Sequence, residues 1–168
     1  DKTAVVQQLY NAMEENMKKL KEILNHIFID GLSGMATGLF ATLIVGTILS
    51  QLGELLPGVV GDSLYIMGKI ASSVTGAGIG CGVAIKFKES PLVILSAAVC
   101  GMMGAFASKI LAGTVLVEGN IVYAGPGEPL GAFIAALAGI YMGRLVSGKT
   151  KVDIIITPLL TILTGSAV

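Results

Sequence analysis

Tryptophan is missing from this 168-residue chain, histidine occurs once and cysteine twice. These shortages close off whole classes of chemistry. His26, Cys81 and Cys100 cannot by themselves assemble a metal cluster, which typically needs about four nitrogen or sulfur ligands. Both cysteines lie inside apolar stretches and read as small buried side chains. Charge is also scarce. Asp, Glu, Lys and Arg make up 13% of the chain, against about 25% in ordinary soluble domains. Eleven basic and eleven acidic residues cancel, so no overall field points to nucleic acid as a partner. No residue pattern calls for a cofactor, and no catalytic constellation is visible. The first thirty residues are charged throughout and contain no secretory signal.

What is plentiful is apolar: 54% hydrophobic residues, with 23 glycines in addition. A water-soluble domain so composed could not cover its surface with polar groups. The expected solvent is therefore the lipid bilayer. The chain opens on Asp1 and stops inside an apolar run, so it reads as part of something longer.

Residues 1–30 predict a helix. Val6, Tyr10, Met13, Met17, Leu20, Leu24 and Ile27 recur in steps of four and three, with the charges mostly off that seam. Such a helix can lie on a membrane, dock on its own domain, or pair chains as a coiled coil. Five apolar stretches follow, over residues 31–52, 63–85, 91–111, 129–146 and 152–168, and these are the candidate spans. Ser90-Pro91 is a good helix start. Between the third and fourth spans, two β-branched runs flank Gly119-Asn120, a hairpin signal. The ribbon is expected outside the hydrocarbon, where its edges can meet water. The expected fold is thus all-α: a polytopic transmembrane bundle with an amphipathic N-terminal helix and a small extramembrane β-hairpin.

The basic residues test this layout. With residues 1–30 cytoplasmic and five alternating spans, Lys2, Lys18, Lys19, Lys21, Lys86, Lys88, Arg144, Lys149 and Lys151 all fall inside. The outer loops hold Glu54, Asp62, Glu118 and Glu128. This satisfies the positive-inside rule for a multi-pass protein with a cytoplasmic N-terminus.

GRLVSGKT, residues 143–150, fits the P-loop pattern. Its surroundings do not. A P-loop follows a buried strand and opens a helix, whereas here an apolar span precedes the motif and another follows it. The match is a coincidence.

Several residues could carry function. Gly34 with Gly38, and Gly139 with Gly143, stand four apart and would let helices approach closely. The run GAGIGCG, with Gly78 and Gly80 at its centre, is either a crowded helix crossing or an unwound segment at a binding site. Lys69 lies about two turns inside its span. It would either snorkel outward or face a substrate. Lys109, at a span end, is expected to snorkel. Asp153 opens the last span near Lys149 and Lys151, as a helix-start carboxylate or a site residue. Glu128 follows Gly127 in GPGEPLG, where two prolines prevent a regular helix before residue 129. Its carboxylate would either cap the next helix or bond the hydroxyls of a sugar-like ligand.

The segment GPGEPLGAFIAALAGIYMGRLVSGKTKVDIIITPLLTIL, preceded by DGLSGMATGLFATLIVGTIL, resembles the sugar-translocating IIC component of the bacterial phosphotransferase system. It is most similar to the PfoR-like branch, over residues 28–168. The resemblance implies a bacterial inner-membrane protein that moves a small solute of the sugar kind, beside a separate IIB-type partner that carries the phosphoryl group. Members of that branch are about twice this length. The resemblance thus implies an N-terminal half, completed by further chain or by homo-oligomerisation. In sugar-translocating relatives a Gly-x-x-Glu-Pro motif presents its glutamate to substrate, and Gly125 to Pro129 has that form. The competing expectation is a membrane-embedded regulator or scaffold that uses the N-terminal seam and transports nothing.

Overall fold

The computed structural model describes residues 2–122, 125–149 and 152–168, with side chains from residue 5 onward. Helix dominates. Helix α1 (Lys2–Asn25) runs through a π-turn (His26–Gly31) into α2 (Leu32–Leu39), and through a second π-turn (Phe40–Ile44) into α3 (Val45–Leu55). Backbone angles at the joints stay right-handed helical, so Val5–Leu55 is one unbroken helix, about 76 Å long. The change from charged to apolar composition near residue 30 therefore alters the side chains and leaves the backbone helical. Among the described residues, α1 packs substantially only on the turn that continues it. Val6, Tyr10, Met13, Met17, Leu20 and Leu24 are exposed along it.

The chain then reverses at Leu56–Gly58 into α4 (Val59–Ser73), which meets α5 (Thr75–Lys86) at a 53° bend. The bend falls at Val74. There Ser73 Oγ donates to Ile70 O (2.8 Å) and Thr75 Oγ1 to Ser72 O (2.6 Å), engaging carbonyls at the break.

A glycine seam holds this hairpin together. Gly34 lies against Gly82, Gly38 against Gly78, Gly46 against Gly68 and Gly53 against Gly61, backbone on backbone. The opposed numbering is that of an antiparallel pair. Without Cβ atoms the helices come close enough for dispersion and Cα–H···O contacts along their full length.

Helices α6 (Pro91–Ala105) and α8 (Pro129–Val146) pack on α5 and on each other, and α9 (Asp153–Ser166) completes the bundle against α6 and α8. Proline opens both α6 and α8 at the first turn, where a missing N–H costs nothing. Ser90 occupies the cap position but makes no cap bond. Its hydroxyl meets Ser147 Oγ at 3.1 Å instead. The core gathers Ile79, Val83, Val93, Ala97, Phe106, Phe133 and Ile140. Among the described residues two helices, Val5–Leu55 and Pro129–Val146, are long and apolar enough to cross a membrane, and the bent α4–α5 pair passes the same test when its two arms are counted as one span. Helices α6 and α9, at 15 and 14 residues, are shorter than the roughly 20 residues a full crossing takes.

Beyond Phe106 the chain turns into the short α7 (Ala107–Leu111) and then a two-stranded ribbon, β1 (Leu116–Val117) and β2 (Asn120–Ile121). Val117 pairs with Asn120, so the turn is Glu118-Gly119, one residue earlier than the Gly119-Asn120 expected. Both turn residues have positive φ (51° and 79°), as a tight hairpin turn of the primed type requires.

Where α6, α8 and α9 cross, Cys100 is buried and its thiol donates to Thr161 O at 3.4 Å. Beside it, Thr161 Oγ1 is buried with no hydrogen-bond partner among the described residues. Stranding a hydroxyl this way costs about 1–3 kcal/mol. Thr161→Val keeps the shape and removes the stranded group, so thermal unfolding in detergent should show equal or higher stability. A clear fall would mean that the hydroxyl has a partner in the native protein.

Candidate functional site

The loop before α8 is anchored deep in the bundle. Glu128 N donates to Ala105 O at 2.8 Å. Gly127 has φ +73°, and a Cβ there would lie 2.7 Å from that same carbonyl oxygen. Both the left-handed backbone and the close approach require glycine. Ala105 in turn packs on Gly76, two residues beyond the α4–α5 bend. The GPGE loop is therefore level with the middle of the long hairpin rather than with its tip at residues 55–59.

A cavity of about 360 Å³ opens at this level. Helix α3 supplies Thr47, Ser50, Gln51 and Glu54 to its lining, which lie on one helical face. Helix α4 supplies Lys69, Ser72 and Ser73, and the loop supplies Gly125 and Pro126. Thr47 and Ser73 donate their hydroxyl hydrogens to their own helices, which leaves oxygen lone pairs for a ligand. Lys69 Nζ sits 4.9 Å from the Tyr65 ring centroid. Neither Lys69 nor Glu54 has an ion-pair partner among the described residues. The lining thus combines one cation, one carboxylate, one amide and four hydroxyls. Such a set can orient a small solute that both donates and accepts hydrogen bonds. A second cavity, about 210 Å³, lies under the ribbon among Met103, Ile110, Val115, Leu116 and Ile121. Its apolar lining has no side chain that could orient a polar ligand.

The structure sorts the sequence candidates. Lys69 lines the cavity, ten residues into α4, deeper than expected. Its cation leans toward Tyr65, one turn nearer the hairpin tip, as helical side chains tilt. Glu128 occupies the cap position of α8, yet its side chain makes no cap bond and is exposed. It does not line the cavity, although Gly125 and Pro126 of the same loop do. Gly78 and Gly80 lie in regular helix, so the GAGIGCG run is the crowded crossing and is not unwound. Gly78 faces Gly38 and Thr42 on one side, and Gly80 faces Ala97 O on the other. Alternate glycines of one helix thus serve two neighbours. Asp153 Oδ1 accepts from Gly148 N (3.0 Å) and Thr157 Oγ1 (2.6 Å), closing the turn between α8 and α9 far from the cavity. Lys151, one of its expected lysine neighbours, falls outside the described residues. Lys109 Nζ lies over the Phe106 ring at 5.4 Å.

Thr47, Ser50, Gln51, Ser72 and Ser73 are not among the sequence candidates, and Glu54, expected as an outer-loop acid, lies instead within α3. The available signal was the spacing of Thr47, Gln51 and Glu54 on an otherwise apolar helix, where a polar face must meet something other than lipid.

At the opposite end of the bundle, Arg144 donates to Glu89 Oε1 through Nε at 2.8 Å and also through Nη2. Its guanidinium lies over Phe87 and Tyr141. The GRLVSGKT segment begins at Gly143, buried inside α8 against Val93 and Thr161. Helix α8, not a strand, leads into it, and Thr150 at its end lies outside the described residues.

No curated protein and no solved structure matches the chain significantly. A family model described as the phosphotransferase system EIIC matches residues 29–168, which include the glycine-seamed hairpin, the anchored GPGE loop and the last two helices. The apolar helices and this match lead to one conclusion: the chain is a membrane protein belonging to the EIIC family of the phosphotransferase system.

Proposed function

We propose that this protein carries a small polyhydroxylated solute, a sugar, across a bacterial inner membrane, and that the cavity between α3, α4 and the GPGE loop is where the solute rests. The observation behind this reading is the cavity's polarity at a level where lipid-facing helices have no use for it. A sugar offers hydroxyls that donate and accept together. Lys69 and Gln51 supply donors, Glu54 and the hydroxyl oxygens supply acceptors, and the charges of Lys69 and Glu54 cancel. Glu128 stands two residues beyond Pro126 with its carboxylate free of any capping bond, and the proposal gives it the role of meeting the solute from the loop. In this reading residues 1–30 form a cytoplasmic helix and residues 31–168 make five passes, α6 and α9 being short ones. Phosphoryl transfer belongs to a separate IIB-type partner.

The exposed Val6–Leu24 face favours a second role as a contact between chains, so the carrier is proposed to be a homo-oligomer. Binding of a panel of hexoses, hexitols and disaccharides to purified protein tests the proposal. Lys69→Met and Glu128→Gln are each expected to weaken binding of the preferred sugar at least tenfold, about 1.4 kcal/mol. Binding unchanged in both variants would remove this cavity and loop from the site. No binding of any sugar by the unaltered protein would favour the membrane scaffold.

A further inference from the structure

Helix α5 ends in a way that its sequence does not favour. Lys88 N bonds Ile85 O and Glu89 N bonds Ala84 O, the paired closure that normally places glycine at the left-handed position. Lys88 occupies that position with φ +57°. A side chain kept where glycine would fit more easily points to a use for the side chain.

Lys88 lines a cavity of about 520 Å³, together with Lys86, Phe87, Ile85, His26 and Asp30. His26 and Asp30 lie one turn apart on the π-turn, the type of helical irregularity that often marks a functional site. His26 stacks on Phe87 with ring centroids 4.0 Å apart, and its Nδ1 is 3.0 Å from Asp30 Oδ2, so the carboxylate already has a partner. Neither Lys86 nor Lys88 has an ion-pair partner among the described residues. The cavity sits where the polar α1 gives way to the apolar α2. Ile85 in its lining is exposed, and Phe28, Ile29 and Leu32 are exposed on the same turns of helix that carry His26 and Asp30.

We infer that this cavity binds the headgroup of an anionic phospholipid, with the phosphate held between Lys86 and Lys88 and the acyl chains against that apolar rim. Basic cavities at the ends of membrane helices suit such headgroups, because the lysine charge and the apolar stem face the two phases of the lipid together. This requires the chain to be in a membrane and is independent of whether it transports a sugar.

Thermal unfolding of the purified full chain in a neutral detergent tests it, with phosphatidylglycerol or phosphatidylcholine titrated in. Phosphatidylglycerol should raise the Tm and phosphatidylcholine should not. In Lys88→Gly and Lys86→Gln the concentration needed should rise at least fivefold. The lipid-free Tm of Lys88→Gly should equal or exceed that of the parent, since glycine suits the backbone better. Lys149→Gln, a basic residue outside the cavity, should respond as the parent does. The inference fails if both lipids act equally, or if Lys149→Gln loses as much response as Lys88→Gly. Stabilisation by inorganic phosphate alone, with none from phosphatidylglycerol, would assign the site to a soluble anion and overturn the lipid.

Discussion

Gly38→Leu is expected to leave little folded protein. A Cβ at residue 38 would lie 2.2 Å from the carbonyl oxygen of Gly78 and 2.4 Å from its carbon. Both atoms belong to the backbone of a packed helix, so no side-chain rotation can relieve the clash. Overpacking a core costs about 1–3 kcal/mol when neighbours can adjust. Here α2 and α5 would have to separate along the seam, and the loss should reach or exceed the top of that range. The fraction of monodisperse protein after detergent extraction, together with its Tm, reads the effect. Ala36→Leu, at an exposed position on the same helix, is the control and should behave as the parent. Parental yield and Tm for Gly38→Leu would mean that the seam is not where this contact lies.

The second large effect is expected at the other end of the bundle. Glu89 has a side chain only 8% exposed, and Arg144 is its cation. Arg144→Met would leave that carboxylate without its counter-charge and uncover the rings of Phe87 and Tyr141. Stranding one partner of a buried pair costs about 3–5 kcal/mol. Arg144 is 42% exposed, so solvent screens part of this and about 2–3 kcal/mol is expected. Adding Glu89→Gln should recover much of the loss, because the uncompensated charge is then gone. A double-mutant cycle by thermal unfolding measures the coupling. Losses that simply add would show that the two groups do not interact.

The parts of the fold that were legible in the sequence are those set by local rules. Pro91 and Pro129 mark helix starts because their missing N–H groups and fixed φ suit the first turn, each following a residue with extended backbone. The glycine pairs at 34 and 38, and at 139 and 143, announced close packing, and all four are buried in helix contacts. The ribbon was visible from its β-branched runs, but its turn was misplaced by one residue. Residues on both sides of Gly119 can precede a strand, and only the pairing of Val117 with Asn120 fixes the register.

Composition determined that this chain needs lipid around it, since its apolar residues outnumber what a water-facing surface could bury. The spacing of small residues determined which helix faces could meet. The tertiary structure alone decided that the GPGE loop hangs from the end of α6 at mid-hairpin height, and that Thr47, Gln51 and Glu54 share a cavity with Lys69. It also decided that a lysine closes α5 where glycine was the simpler choice. These depend on contacts between residues far apart in the chain, and the register of one helix against another is a property of the whole bundle.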